Sequence, residues 1–216
     1  MIQRLGNWKV KSPFWGVNEN LTVNIGNRVK IIPDCIFVLT NVKNLNLSEG
    51  LEHIESQAFQ ACENLTTVTI PSTVTGIDVF AFSDCLNLAT INYNAIDASE
   101  SKLLISNSAY PPFISLNNNL TINIGKNVRV IPSFLFAACP VSTLNIEEGL
   151  EEIGQQSFYR CLNLRSVVIP STITSINSIA FDDCTNLSTI TIRKSENSIT
   201  GAPWTNVAGV GVIWAP

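Results

Sequence analysis

Residues 70–91 read IPSTVTGIDVFAFSDCLNLATI, and residues 169–190 read IPSTITSINSIAFDDCTNLSTI. The two stretches lie 99 residues apart, and the match continues without a gap, so that roughly half of the positions from Asn20 to Asn92 recur unchanged. A chain that repeats itself at a fixed offset is typical of a repeat architecture, in which each unit buries its apolar side against its neighbours. We therefore divide the chain into two tandem copies, about 14–112 and 113–211.

A shorter period lies inside each copy. One aromatic position recurs at steps of 22 or 23 residues, with a single step of 31 residues. The column consists of Phe14, Phe37, Phe59, Phe82, Phe113, Phe136, Phe158, Phe181 and Trp204. Eight or nine residues after each aromatic residue an alternating apolar pattern begins, such as Val68 and Ile70, which is typical of a half-buried strand.

These periods predict the fold class. We expect an α/β repeat: a right-handed solenoid with a parallel β-sheet on one face and short helical or 3-10 turns, such as residues 56–62, on the other. Nine aromatic positions predict about nine coils of 22–23 residues, stacked over about 40 Å at roughly 4.8 Å per strand. The prediction is a single domain, 1–216, that ends in a C-terminal cap at about 198–216.

Two features depart from the regular period. The unit that contains the 31-residue step carries an inserted loop at about 93–111, with Leu103-Leu104-Ile105 and Pro111-Pro112. This loop is either a surface excursion from one coil or a binding loop. The second aromatic coil of each copy is one residue shorter than the others, and Thr40 stands there at a position that is Cys in most coils.

Composition excludes several function classes. The 216 residues are 45% hydrophobic and 14% charged, with a net charge of −4. No dense positive cluster is present, so a nucleic-acid partner is not expected. No apolar stretch approaches the roughly 20 residues of a membrane span, so this domain is not expected to insert into a membrane. One His and one Met in the whole chain argue against His-based catalysis and metal sites.

The repeat unit resembles that of a known family. The pattern I-P-x-x-V-x-x-I-x-x-x-A-F-x-x-C-x-N-L-x-x-I runs from Ile70 to Ile91, and it returns with Ile173 in place of Val from Ile169 to Ile190. It resembles the BspA-like leucine-rich repeats, the treponemal class of that superfamily, over nearly the whole chain. The resemblance implies a secreted or surface-anchored bacterial protein, similar to adhesins that bind host matrix proteins or other cells. It carries over no catalytic residues.

We therefore expect an extracellular or cell-surface binding module, a bacterial adhesin or protein-interaction domain that acts as a monomer. Its expected partner is a protein or glycan on a host or neighbouring cell, with the export signal and anchor outside this chain. The alternative is a structural spacer array without a ligand of its own. Neither an enzyme nor a cofactor is expected.

The predicted ligand-binding surface is the outward face of the sheet strands. Its central positions are all uncharged hydrogen-bonding residues: Thr67, Thr69, Thr90, Asn92, Thr121, Asn123, Thr143 and Asn145. Two interpretations stay open. Thr suits strands and Asn residues in a row pair with one another, which would be a purely structural reason. Alternatively, the rows form a flat polar surface for a protein or a glycan.

Five cysteines occupy one repeat position: Cys62, Cys85, Cys139, Cys161 and Cys184. Neighbouring coils could bring two of them near disulfide distance, but side chains in a ladder point the same way, which disfavours the bond. A buried cysteine behaves as a small apolar residue, so we predict buried free thiols.

Three further groups have modest functional potential. His53 has carboxylates nearby in sequence, but the second copy has Glu152 in its place, so we predict a solvent-exposed residue on a turn. Acidic residues recur along one edge, at Glu49, Glu52, Glu55, Glu147, Glu148, Glu151 and Glu152. A solvated rim is expected there, with a basic partner or calcium as the alternative. The tryptophans near the ends, Trp8, Trp15, Trp204 and Trp214, are expected to cap the stack or to contact carbohydrate.

Overall fold

The computed structural model describes residues 12–17, 20–96, 98, 110–116, 119–196, 198–199 and 209–216. The described chain is a parallel β-solenoid. In chain order its strands are β1 Leu21–Ile25, β2 Ile31–Ile32, β3 Val42–Leu47, β4 His53–Ile54, β5 Thr67–Ile70, β6 Gly76–Ile77, β7 Thr90–Tyr93, β8 Leu120–Ile124, β9 Val130–Ile131, β10 Val141–Ile146, β11 Glu152–Ile153, β12 Ser166–Ile169, β13 Ser175–Ile176, β14 Thr189–Ile192 and β15 Gly211–Trp214.

The strands form two walls. The longer strands β1, β3, β5, β7, β8, β10, β12, β14 and β15 succeed one another along what we call the wide face. The two-residue strands make two narrow ladders, β2-β4-β6 and β9-β11-β13. Every pairing is parallel, as expected for coils that wind in one direction.

Alternation along each wide strand places the core. In β5 the side chains of Val68 and Ile70 are fully buried, while Thr67 and Thr69 face solvent. The same inward positions of successive strands lie side by side, for example Val68 next to Ile91. A single coil could not bury these residues, but the stack removes them from water and so stabilises the fold.

The aromatic column forms a continuous ring stack along the core. Ring centroids of successive phenylalanines from Phe14 to Phe181 are 5.1–5.8 Å apart. The 31-residue step does not interrupt it, because Phe82 and Phe113 stack at 5.1 Å. The inner rings are buried as predicted, whereas Phe14, the first ring, is 39% exposed. Trp204 lies outside the described residues.

The predicted helical or 3-10 turns are wrong, so the α/β description does not hold. The described residues contain no helix. Near each stacked phenylalanine, the residue two positions before it, the residue two positions after it, or both have a left-handed φ. Phe59, for example, lies between Gln57 (φ 57°) and Ala61 (φ 56°). Left-handed residues interrupt a right-handed helix. The amide of Phe59 instead donates to the carbonyl of Ala81 in the next coil, at 2.8 Å.

The prediction of nine coils is also wrong. Nine wide strands bound only eight complete turns, from β1 to β15. The aromatic column counted ring positions, and its first member, Phe14, precedes β1, so it adds a ring without adding a turn between two described strands. The solenoid therefore has about eight turns.

Most of the inserted loop predicted at 93–111 lies outside the described residues. Its two ends are packed. Tyr93 is the last residue of β7, is buried, and meets Phe136 edge to face at 5.7 Å. Tyr110 contacts Phe80 with ring centroids 5.1 Å apart.

Candidate functional site

The eight residues predicted to bind ligand lie together on the wide face. Strands β5, β7, β8 and β10 form one four-stranded sheet, and its register aligns equivalent positions. One row is Thr67, Thr90, Thr121 and Thr143, and the other is Thr69, Asn92, Asn123 and Asn145. The sheet thus presents two straight rows of uncharged donors and acceptors to solvent.

The second row is linked by side-chain hydrogen bonds. The amide of Asn145 donates to the Oδ1 of Asn123, and Asn123 donates to Asn92, each at 2.8 Å. Asn92 in turn donates to the Oγ1 of Thr69 at 3.1 Å. A carboxamide has two N–H donors and two acceptor lone pairs, so one lateral bond on each side leaves each inner asparagine with further capacity. The row is both self-paired and able to bond a ligand.

The acidic edge is tied to the chain itself. The carboxylate of Glu49 accepts from the Ser72 hydroxyl at 2.7 Å, and that of Glu148 accepts from the Ser171 hydroxyl at 2.9 Å. Glu148 also lies 3.5 Å from Arg193. Desolvation acts to raise the pKa of Glu148, but the hydrogen bonds from Ser171 and its neighbours outweigh it, and this pKa falls below its ordinary value.

Other carboxylates of this edge form ion pairs across the coils. Lys30 lies 2.9 Å from Glu52, and Arg129 lies 3.5 Å from Glu151 at the equivalent place in the second copy. In the described ranges, no group of three or more His, Cys, Asp or Glu side chains is arranged to hold a metal ion. The edge is therefore a solvated, internally paired rim.

His53 is not the solvent-exposed turn residue that the sequence predicts. It lies on β4, its side chain is half-buried, and its Nε2 is 3.0 Å from the Oδ1 of Asp78. Gly76 makes room for the ring, because a Cβ there would approach the imidazole Cε1 to 2.4 Å. In the second copy, Glu152 replaces His53, Ser175 replaces Gly76 and Asn177 replaces Asp78. The sequence neighbours of His53 misled the prediction, because its partner comes from the next coil.

The cysteine prediction is confirmed: all six cysteines are free and buried. Each cysteine of the repeat column donates to the carbonyl of the phenylalanine one coil earlier, as Cys85 Sγ does to Phe59 at 3.2 Å. Burial raises the pKa of the Cys139 thiol. Hydrogen bonds with Cys85 and Cys161 lower the pKa of Cys62 and Cys184, respectively. All five thiols are buried and bonded inside the stack, so we interpret them as packing groups.

The sequence analysis missed two β-bulges on the wide face. In the pairing of β1 with β3, Lys43 is an extra residue without a partner in the register. In the pairing of β8 with β10, Ser142 is the extra residue. The signal was present: the inward residues Val42 and Leu45 are three positions apart instead of two. Beyond each bulged strand the hydrogen-bonded ladder stops, so no ladder joins β3 to β5 or β10 to β12.

A groove opens beside each interruption. The first has a volume of about 330 Å³, and its lining includes Lys43 and Thr66. The second has a volume of about 440 Å³ and is lined by Asn119, Ser142, Asn163, Arg165 and Asn186. Lys43 is the single charged residue lining the first groove, and Arg165 is the single charged residue lining the second.

The tryptophan prediction is only partly covered by the structure. Trp8 and Trp204 lie outside the described residues. Trp15 is exposed at the first end, and Trp214 packs partly against the core from β15. In the described part of the chain, no helix is long and apolar enough to cross a bilayer.

Comparison with known proteins identifies the repeat. A model of the BspA type leucine rich repeat region matches residues 11–110 and 105–206 with six repeat copies. No curated protein matches the chain. A leucine-rich repeat protein from Bacteroides ovatus is 26% identical with a TM-score of 0.57, over 89% of this chain and 48% of that one. The present chain therefore spans about half the length of that protein.

Two other solved structures are similar. A leucine rich cell surface protein from Faecalibacterium prausnitzii is 24% identical with a TM-score of 0.38, over 90% of this chain and 60% of that one. A leucine rich repeat protein from T. pallidum is 20% identical with a TM-score of 0.45, over 91% of this chain and 74% of that one. The family model covers nearly the whole sequence, and the chain belongs to the BspA-type leucine-rich-repeat family.

Proposed function

We propose that the protein is an extracellular or cell-surface binding module, a bacterial adhesin or protein-interaction domain that holds a protein or glycan on its wide face. The observation that carries this proposal is the pair of uncharged Thr and Asn rows across β5, β7, β8 and β10. Membership of the BspA-type family supports both protein interaction and a place outside the cell.

The shape of the face supports the same proposal. Each coil contributes only two outward side chains, so affinity must be summed over several coils, and the parallel register keeps the contributions in line. The rows carry no formal charge. Binding through them should therefore change little between low and moderate salt, because it involves no long-range charge pairing that salt could screen.

We further propose that the module acts as one domain and as a monomer. The ring stack runs across the junction of the two copies, where Phe82 and Phe113 are 5.1 Å apart. At the far end, β15 pairs with β14, which supports a C-terminal cap at about 198–216.

A structural spacer is the second candidate, and the asparagine row favours it. Asn145, Asn123 and Asn92 use part of their hydrogen-bonding capacity on one another, which a rigid rod without a ligand also needs.

The test is a screen of immobilised glycans and matrix proteins, followed by two matched variants. Thr90→Arg places a long cation in the middle of the proposed site, while Thr189→Arg makes the same change 99 residues later on β14, outside it. We expect binding to fall at least about tenfold for Thr90→Arg and to persist for Thr189→Arg, because only the first obstructs the rows.

Equal binding by both variants would place the site elsewhere. A screen without any ligand would favour the spacer.

A further inference from the structure

The two bulged grooves differ in one informative way. Lys43 in the first copy corresponds to Ser142 in the second, while Thr66 in the first corresponds to Arg165 in the second. Each copy therefore places one cation in its groove but on a different coil. Both copies thus have the β-bulge and one positive charge in the groove beside it. The charge comes from the bulge residue, Lys43, in the first copy and from Arg165 on the neighbouring coil in the second.

Neither cation forms an ion pair among the described residues, because the four pairs found there involve other basic side chains. No carboxylate is found among the described residues that line the two grooves, although the chain as a whole is acidic. β-Bulges re-aim side chains and are over-represented beside binding sites, so their recurrence at both grooves is a built feature.

We propose that the two grooves form a bipartite site for an acidic polysaccharide, with Lys43 and Arg165 each pairing with a uronate carboxylate of one chain. This inference rests on the proposed binding function and names a ligand class for it. It places the charged contacts at the bulged edge of the wide face, beside the uncharged rows.

The lining favours a glycan over an acidic peptide. The second groove combines one guanidinium with carboxamide and hydroxyl groups and has no apolar side chain. The amide of Asn186 donates to the Leu162 carbonyl at 2.6 Å, which leaves its own carbonyl oxygen as an acceptor. A uronic acid supplies hydroxyl donors for such acceptors as well as a carboxylate for Arg165, whereas a glutamate side chain supplies only the carboxylate.

The spacing favours a chain over a single sugar. Five strand-to-strand steps separate Lys43 on β3 from Arg165 immediately before β12, which at about 4.8 Å each puts the two cations on the order of 24 Å apart. An oligosaccharide that reaches both grooves gains from effective concentration, whereas a shorter one occupies one groove only.

The probes are oligogalacturonates of two lengths, one too short and one long enough to reach both grooves, measured by calorimetry at low salt. The variants exchange each cation for its counterpart in the other copy: Lys43→Ser, Arg165→Thr and the double variant. Arg28→Asn is the control, because it removes one positive charge from the opposite edge of the wide face. It is also an exchange between copies, since Asn127 stands at the corresponding position of the second copy.

We expect the long probe to bind at least about tenfold more tightly than the short one, since the second contact is intramolecular. Each single exchange should weaken the long probe by about tenfold, the usual order for a charge-assisted hydrogen bond, and the double exchange should abolish binding. Because the contacts at Lys43 and Arg165 are charged, unlike those of the Thr and Asn rows, binding of the probe should weaken as salt is added. Arg28→Asn should bind like the parent.

Three results would overturn the inference: no binding of the long probe, equal binding of its uncharged methyl ester, or a double variant that binds like the parent. Tighter binding of poly-glutamate than of oligogalacturonate would replace the glycan by an acidic peptide. A protein that ignores these probes but binds another ligand, sensitive to Thr90→Arg, would refute this inference and leave the proposed function standing.

Discussion

The two copies of the repeat share most of their interior and differ more at their surface. Phe59 stacks on Phe82 at 5.2 Å, and Phe158 stacks on Phe181, 99 residues later, at the same distance. On the narrow wall, however, His53 and Asp78 of the first copy are replaced by Glu152 and Asn177 in the second. Interior positions touch the coils on both sides, so a change there must suit two neighbours, whereas surface positions change in small groups that contact one another.

The largest effect should come from removing an interior ring. Phe59→Ala and Phe158→Ala should each lower the free energy of unfolding by about 3–5 kcal/mol, because each deletes a fully buried ring between two stacked partners. Chemical denaturation of the two variants should give similar losses if the copies are equivalent inside.

Phe14→Ala is the control for this comparison, because its ring is partly exposed and, among the described residues, stacks on Phe37 alone. A loss for Phe14→Ala as large as for Phe59→Ala would contradict the idea that burial between two rings sets the size of the effect.

The next effect concerns the paired group on the narrow wall. Gly76→Ser installs the residue of the second copy beside His53, whose ring occupies the space of the new Cβ. We expect a loss of about 1–3 kcal/mol, the usual range for overpacking. Adding both His53→Glu and Asp78→Asn, which completes the second-copy arrangement, should restore most of the loss in thermal unfolding.

The reverse change, Ser175→Gly, removes a side chain without creating a clash and should have a smaller effect. If Gly76→Ser were as stable as the parent, the ring of His53 would not be held by Asp78.

The sequence predicts features that recur with the repeat period and misses contacts that form between particular coils. The aromatic column, the inward alternation of Val68 and Ile70 and the cysteine column are periodic, so they were predictable. The left-handed turns were not, because residues such as Gln57 and Ala61 have no glycine-like signature for positive φ. The His53–Asp78 pair depends on the register between coils, which only the folded stack defines. The bulges were predictable in principle, because the inward residues Val42 and Leu45 are three positions apart.

A smaller effect should come from a buried hydroxyl. Ser157 is fully buried, and its Oγ has no hydrogen-bond partner in the described structure; the first copy has Ala58 at this position. Because an unsatisfied buried hydroxyl is destabilising, Ser157→Ala should raise stability by about 1 kcal/mol. Ala58→Ser should lower it by a similar amount, and a stabilising Ala58→Ser in the same denaturation assay would refute the explanation.

The smallest effect separates the acidic edges of the two copies. Glu148 and Glu49 both accept hydrogen bonds from a serine, but Glu148 also faces Arg193, whereas the first copy has Asn94 at the position of Arg193. Glu148→Gln should therefore lower stability at neutral pH by less than about 1 kcal/mol, the range of exposed ion pairs, and Glu49→Gln by less.

Folding lowers the pKa of Glu148, so its charge stabilises the fold above the unfolded-state pKa, and this contribution disappears as the pH falls through the folded-state value. The difference between the parent and Glu148→Gln should accordingly be present at pH 7 and absent well below pH 4.5, the ordinary value for this carboxyl. Denaturation curves of both proteins at the two pH values measure it, and a difference that persists in acid would show that the amide disturbs packing and that charge is not the cause.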